Sequence, residues 1–179
     1  MKNRMNGEEE LDLSVFENMN VMSLGSNCIQ GMRNLTMNGL NELSEFEIGS
    51  GSLNMIEWIE IGSNSLNSLS SFDMSGFVNM RGLLIGSDSL SQIESLRLNK
   101  LEMVEIGSGS VGGVNVLEIG SNSLNSIDYN TLDLRPFVNA KRIRISWNSL
   151  KNVESIVVNP IPSLIELSIG FNSLSKLRR

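Results

Sequence analysis

The chain has 179 residues with 14 Lys and Arg against 20 Asp and Glu, a formal net charge of -6, no His and one Cys. These counts exclude a Ser-His-Asp triad, imidazole metal ligands, an internal disulfide and a cysteine metal cluster. The acidic balance argues against nucleic acid as a partner, because nucleic-acid binders usually present a strongly basic face. We therefore expect a protein that is not an enzyme and that uses no metal or cofactor.

The first part of the chain, residues 1–10, is polar and includes three successive glutamates, Glu8 to Glu10. It has no hydrophobic stretch of the kind found in signal peptides, and no apolar run in the chain approaches the roughly 20 residues of a membrane helix. We expect no membrane insertion, and a cytoplasmic or nuclear location if the chain is complete. Residues 11–179 form the predicted repeat domain, either as a whole protein or as a fragment of a longer array.

A recurring tripeptide, Ile-Gly-Ser, marks the first repeated element of this domain. It begins at Ile48, Ile61, Ile85, Ile106 and Ile119, and related tripeptides begin at Leu24, Ile145 and Ile169. The surrounding pattern is apolar-x-x-apolar-x-Ile-Gly-x-Asn-Ser-Leu. Its alternation of apolar residues with others is typical of a short strand with one buried face.

A second motif, apolar-x-apolar-x-x-apolar-x-x-apolar, fills the intervals and begins, for example, at Leu11, Leu35, Phe72 and Ile156. The apolar-x-apolar steps of both motifs end at positions 13, 24, 37, 48, 61, 74, 85, 98, 106, 119, 134, 145, 158 and 169. Because 13 intervals cover 156 residues, the mean spacing is 12.0 residues. The spacing predicts a mostly β protein with little helix: a β-solenoid of about seven turns of roughly 24 residues, with two short strands per turn.

Two intervals between Ile-Gly strands, residues 48–61 and 106–119, cover only half a turn. In both, a glycine (Gly51 or Gly109) replaces the Asn of the repeat. A half-turn either deletes one strand or moves the Ile-Gly strand to the opposite face of the solenoid. The even 12-residue spacing of the strands favours the change of face.

The first motif resembles the leucine-rich-repeat consensus, Leu-x-x-Leu-x-Leu-x-x-Asn-x-Leu, and residues 11–177 most resemble the irregular, BspA-like branch of that family. The resemblance implies a non-catalytic scaffold for protein–protein interaction, without long convex helices and without a particular ligand. It also implies that the repeat Asn or Asp hydrogen-bonds the backbone of neighbouring turns. These structural positions are Asn27, Asn64, Asp88, Asn122, Asn148 and Asn172.

Three other repeat positions have expected structural roles. The glycine after each repeat Ile is expected to permit the bend where the strand leaves the sheet. The leucine of Asn-Ser-Leu is expected to fill a core column. Cys28 stands where other repeats carry Ser, and we expect a half-buried, inert thiol because no His can activate it.

The candidate binding surface is the solvent-facing side of the Ile-Gly strands. Its residues are Glu47, Trp58, Glu60, Leu84, Glu105, Glu118, Arg142, Arg144 and Trp147. One interpretation is a solvated surface whose charge prevents sheet aggregation. The other is a recognition site for a basic protein partner, in which the tryptophans act as anchors.

Two further alternatives concern assembly and surface activity. A solenoid exposes its core at both ends unless it is capped, so end-to-end self-association is one alternative. The alternative to a protein-binding scaffold is a structural or surface-active solenoid, such as a carbohydrate- or ice-binding array, with no protein partner.

Overall fold

The structure, a computed structural model, describes residues 9–178. Within that range it contains thirteen short strands and no helix. The strands are β1 (Glu10–Asp12), β2 (Val21–Leu24), β3 (Asn34–Met37), β4 (Glu45–Ile48), β5 (Trp58–Ile61), β6 (Gly82–Ile85), β7 (Ser95–Leu98), β8 (Met103–Ile106), β9 (Val116–Ile119), β10 (Thr131–Asp133), β11 (Arg142–Ile145), β12 (Ser155–Val157) and β13 (Glu166–Ile169). The prediction of a mostly β protein is confirmed.

The strands form two opposite faces of a parallel β-solenoid. The first face consists of the sheet β1-β3-β5-β6-β8 followed by the pair β10-β12, and the second face consists of the pair β2-β4 followed by the sheet β7-β9-β11-β13. Every pairing is parallel, and in most of them the paired residues are 24 apart; Leu35, for example, lies opposite Ile59. The predicted seven turns of about 24 residues, with two short strands per turn, are confirmed.

The two half-turns move the Ile-Gly strand from one face to the other. Strand β4 pairs with β2, whereas β5, the next strand along the chain, pairs with β3. In the same way β8 pairs with β6, whereas β9 pairs with β7. Neither half-turn deletes a strand, so the favoured alternative, a change of face, is correct.

The core between the two faces is almost entirely aliphatic. The repeat leucines Leu66, Leu90, Leu124 and Leu150 are fully buried, and Leu174 is buried, which confirms the predicted core column. Removing a Leu side chain from water contributes roughly 2 kcal/mol. Repetition of this column from turn to turn therefore supplies much of the stability of a fold with few aromatic residues.

One predicted strand does not form. Residues 72–74 lie on the second face between β4 and β7 but make no ladder with either strand. Phe72 is still buried and packs on Phe46, with 5.6 Å between the ring centroids. The two tilted rings therefore keep the core filled where the ladder is interrupted.

The glycine after each repeat Ile is required by a close approach of successive turns. A Cβ on Gly86 would lie 2.4 Å from the backbone nitrogen of Ser63, and a Cβ on Gly107 would lie 2.4 Å from that of Ser87. Neither glycine has a positive φ. The interpretation of these glycines as bend residues is therefore wrong. Glycine is needed here because it has no side chain that would collide with the neighbouring turn.

The bend itself is made at the repeat Asn or Asp and at the residue two positions later. All six Asn and Asp residues have φ between 54° and 60°, and Gly51 and Gly109 take the same place with φ of 75°. Asn, Asp and Gly tolerate this left-handed conformation better than other residues. Within residues 9–178, the only side-chain hydrogen bond of the six joins Asn172 Nδ2 to Asn148 Oδ1 at 2.8 Å. Their structural role thus lies in the backbone, not in side-chain bonds to the backbone of neighbouring turns.

At the bend, side-chain hydrogen bonds to the backbone of neighbouring turns are made by the serine that follows the repeat Asn, Asp or Gly. We call this column of serines the serine ladder. Its buried members are Ser52, Ser65, Ser89, Ser110, Ser123 and Ser149. Ser89 Oγ donates to the carbonyl oxygen of Gly62 at 2.7 Å and accepts from the backbone nitrogen of Ser65 at 3.1 Å. The ladder pairs polar backbone atoms that the bend would otherwise leave buried without a partner.

Candidate functional site

The nine candidate surface residues do not form one surface, because the change of face separates them. Trp58, Glu60, Leu84 and Glu105 lie on β5, β6 and β8 of the first face. The others lie on or beside the second face: Glu47 on β4, Glu118 on β9, Arg142 and Arg144 on β11, and Trp147 two residues after β11.

The charges of the second face largely neutralise one another. Glu118 lies between two arginines, 2.8 Å from Arg97 Nε and 3.2 Å from Arg144 Nη1. Arg144 Nε also lies 2.9 Å from Glu166 Oε1, and the hydrogen bond from Arg144 lowers the pKa of Glu166. A continuous acidic row is therefore not present on this face.

A row of alternating charges also borders the first face, and it was not predicted from the sequence. It consists of the residues just before the strands β1, β3, β5, β6 and β8: Glu9, Arg33, Glu57, Arg81 and Glu102. Arg33 pairs with Glu9 at 2.6 Å and with Glu57, and Arg81 pairs with Glu102 at 2.9 Å. Such exposed pairs contribute little to stability. Since opposite charges meet only in the native register, they oppose misalignment of the turns.

The remaining first-face candidates form a compact group that we call the acidic-apolar patch: Trp58, Glu60, Leu84 and Glu105. Glu60 lies opposite Leu84, and Leu84 lies opposite Glu105, on three adjacent strands. Within residues 9–178, neither carboxylate has a salt-bridge partner. The Trp58 ring covers Gly82, where a Cβ would lie 2.0 Å from Trp58 Cζ3. The patch thus combines an aromatic ring packed on the backbone of Gly82, a partly exposed leucine and two carboxylates without a salt bridge in the described part of the chain.

The first face opens next to this patch, between β8 and β10. Hydrogen-bonded strands lie ~4.8 Å apart, whereas no Cα of β8 comes within 8 Å of a Cα of β10. The resulting cavity, which we call the β8–β10 slot, has a volume of about 350 Å³. Val104 and Glu105 line one side, Thr131 and Asp133 line the other, and Leu117 of the second face forms part of the floor.

An insertion of two residues before β10 explains the slot. Eight residues separate Leu124 from Leu132, whereas six separate the equivalent pair Leu150 and Ile156. As a result Ile127 is 77% exposed, although its equivalent Val153 is fully buried.

Tyr129, one of the residues before β10, turns toward the slot in place of Ile127. Burial, with a smaller contribution from Asp133, raises the pKa of Tyr129 to about 12. Its hydroxyl therefore stays neutral at ordinary pH. The signal for the insertion was present in the sequence as the 28-residue interval between the predicted strand ends at 106 and 134.

Groups suited to chemistry are few in the described part of the chain. No three Cys, Asp or Glu side chains of residues 9–178 come together in an arrangement that could hold a metal ion. Cys28 is free and half-buried, and its Sγ lies 3.7 Å from the carbonyl oxygen of Ser26. None of the elements in residues 9–178 is a helix of the length and apolar character needed to cross a membrane.

Thirteen short strands, paired in parallel between stacked turns, define the chain as a parallel β-solenoid repeat protein. Comparison with known proteins finds no matching family model, no similar curated protein and no similar solved structure. The class of the protein therefore rests on its own fold.

Proposed function

We propose that the protein is a non-catalytic repeat scaffold that binds another protein through the acidic-apolar patch. The observation that carries the proposal is the side-by-side placement of Glu60, Leu84 and Glu105 on adjacent strands, with no cation of residues 9–178 paired to either carboxylate. Trp58 adds an aromatic ring held against the backbone, and tryptophans are frequent anchors in protein interfaces. The expected partner presents Lys or Arg around an apolar centre.

We further propose that the repeats belong to the leucine-rich type, in its irregular BspA-like form. The repeated Leu-x-x-Leu-x-Ile spacing and the absence of helix in residues 9–178 support this assignment. The serine ladder is a departure from the consensus, in which the Asn makes the inter-turn bonds.

The carbohydrate- or ice-binding alternative requires a flat row of identical exposed side chains. The outward positions of four adjacent first-face strands are instead Thr36, Glu60, Leu84 and Glu105. This mixed column favours recognition of a protein surface.

Replacement of Trp58 by Ala is expected to weaken binding of the partner at least tenfold, because the patch loses its aromatic anchor. The immobilised chain is used to capture proteins, mass spectrometry identifies the captured protein, and its dissociation constant is measured for each variant. Trp147→Ala is the matched control, since Trp147 is the other tryptophan and lies outside the patch. Equal losses in the two variants, with native thermal unfolding, would show that the patch is not the site.

A second candidate function is end-to-end assembly with another copy. Leu167 and Ile169 on β13 occupy the core columns of Ile143 and Ile145, yet they are 57% and 49% exposed. Residues 130–179 carry eight Lys or Arg and three Asp or Glu, whereas residues 9–60 carry one Arg and nine Asp or Glu. The opposite charges of the two regions favour a head-to-tail arrangement.

Leu167→Lys is expected to abolish self-association, because it places a charge among the exposed apolar side chains at that end. The neighbouring residue Ser168, on the outward side of the same strand, supplies the control Ser168→Lys. Sedimentation velocity over a wide concentration range measures the association. A wild-type chain that stays monomeric throughout would eliminate this second candidate.

A further inference from the structure

We propose that the β8–β10 slot binds an extended peptide segment that adds as a strand between β8 and β10. The occupant is a partner segment in which basic side chains alternate with small apolar ones. The inference names the chemistry of the partner and so rests on the proposed scaffold function.

The gap between β8 and β10 is wider than the spacing of two paired strands. Two strands that flank a third lie about 9.6 Å apart, twice the ~4.8 Å spacing, and the Cα atoms of β8 and β10 are all more than 8 Å apart. On the second face β9 and β11 are hydrogen-bonded directly to each other. The slot is therefore open to solvent on the first face and closed beneath by the opposite sheet.

The backbone of β8 presents hydrogen-bonding groups to the slot. The backbone nitrogen of Met103 donates to the carbonyl oxygen of Arg81, just before β6. The nitrogen of Gly107, just after β8, donates to the carbonyl oxygen of Ile85 on β6. Since alternate residues of a parallel strand bond to opposite sides, the N–H and C=O groups of Val104 and Ile106 point away from β6, into the slot.

The backbone of β10 likewise presents hydrogen-bonding groups to the slot from the other side. The nitrogen of Ser155 donates to Asn130, and the nitrogen of Leu134 donates to Val157. Leu132 and Leu134 therefore bond to β12, and the N–H and C=O groups of Thr131 and Asp133 face the slot. An inserted strand would find donors and acceptors on both sides, as in other cases of strand addition.

The side chains define the chemistry of the inserted strand. An extended peptide turns alternate side chains to opposite faces, so one set would lie against the half-buried apolar side chains of Ile106 and Tyr129, which line the slot. The other set would lie near Glu105 and Asp128, which have no salt bridge within residues 9–178. The third acid, Asp133, is bound by Arg135 at 2.7 Å, and the hydrogen bond from Arg135 lowers the pKa of Asp133. Two free carboxylates at the rim favour Lys or Arg in the outward positions.

The opening on the second face is a weaker candidate for strand addition. Residues 72–74 already occupy the strand position beside β7, and Phe72 fills the core beneath it. Between β8 and β10, by contrast, no strand of residues 9–178 intervenes.

The test uses the synthetic peptide acetyl-Lys-Val-Lys-Val-Lys-amide and the full chain labelled with nitrogen-15. At saturating peptide, we expect amide hydrogen exchange to slow at least tenfold at Val104 and Thr131, whose N–H groups face the slot. Exchange at Met103 and Leu132 is expected to stay the same, because those N–H groups are already bonded to neighbouring strands. Protection that lacks this alternation would overturn the proposal.

Two matched peptides separate strand addition from simple charge attraction. A peptide with Glu in place of Lys is expected not to bind, and one N-methylated at alternate amides, with unchanged side chains and charge, is expected to bind at least tenfold more weakly. Equal binding of the N-methylated peptide would contradict strand addition.

Variants of the chain complete the test. Glu105→Lys is expected to weaken binding of the basic peptide at least tenfold, whereas Glu45→Lys, on β4 of the second face, is expected to leave it unchanged. Binding of the N-methylated peptide tests the slot alone. The effect of Trp58→Ala on binding of the captured protein tests the patch. Failure of the slot and failure of the scaffold function are therefore distinguishable.

Discussion

Gly86→Ala is expected to lower the free energy of unfolding by roughly 3 kcal/mol, the upper range for a side chain forced into a packed interior. The new Cβ would lie 2.4 Å from the nitrogen of Ser63 and 2.6 Å from the carbonyl carbon of Gly62. Both are backbone atoms, so no side-chain rotation can relieve the contact. The nitrogen of Gly86 also donates to Ile61 at 2.7 Å, and moving the turns apart would lengthen this bond.

Gly76→Ala is the matched control for this prediction. A Cβ on Gly76 would meet no atom of another turn within 4 Å, and Gly76 has no positive φ. Alanine there is expected to change the free energy of unfolding by no more than about 0.5 kcal/mol, since it mainly restricts the unfolded chain. Urea denaturation followed by circular dichroism gives both values. Equal stabilities of the two variants would contradict the close approach of successive turns.

Ser89→Ala is expected to cost roughly 2–4 kcal/mol, because it leaves two buried backbone groups without a partner. These groups are the carbonyl oxygen of Gly62 and the N–H of Ser65, both bound by Ser89 Oγ in the native protein. Ser89 is fully buried, so water has no direct access to the vacated position.

The exposed Ser91, two residues away, supplies the control Ser91→Ala, for which we expect a change within about 0.5 kcal/mol. Denaturation curves with equal slopes would confirm that the difference lies in stability. If Ser89→Ala matched the control, the serine ladder would not satisfy the corner backbone.

Most of the fold follows from the periodicity of the apolar residues. Strand ends at 12-residue intervals determine the number of turns, and the half-turn at residues 48–61 shows where a strand changes face. Residues 72–74 have the same apolar pattern but form no strand. A periodic pattern records which residues are buried, as Phe72 is, but it does not record whether their backbone forms a ladder with a neighbouring strand.

The corners were assigned to the wrong residues for a related reason. Asn64 and Ser65 are adjacent, polar and equally regular, so their order in the sequence does not show which side chain turns inward. The structure shows that Asn64 adopts a positive φ while Ser65 is buried. The role of Gly86 likewise depends on its distance from the next turn, which no single repeat reveals.

The candidate surface was predicted only in part. Repeat position selected outward-facing residues, but by itself it did not assign Glu60 and Glu118 to different faces. Once the change of face is applied, Glu118 pairs with two arginines on the second face and Glu60 remains unpaired on the first within residues 9–178. The slot depends on the two extra residues before β10. The insertion was visible in the sequence, but the sequence did not show that Tyr129 would turn toward the first face and leave β8 and β10 unpaired.

The most direct test of the proposed binding face compares the charge reversals Glu60→Lys and Glu45→Lys. Both glutamates lie exposed on strands, but Glu60 belongs to the acidic-apolar patch of the first face and Glu45 to the second face. The measurement is the dissociation constant of the captured partner for each variant. We predict at least a tenfold weakening for Glu60→Lys and none for Glu45→Lys; equal affinities, or a larger loss for Glu45→Lys, would contradict the assignment of binding to the first face.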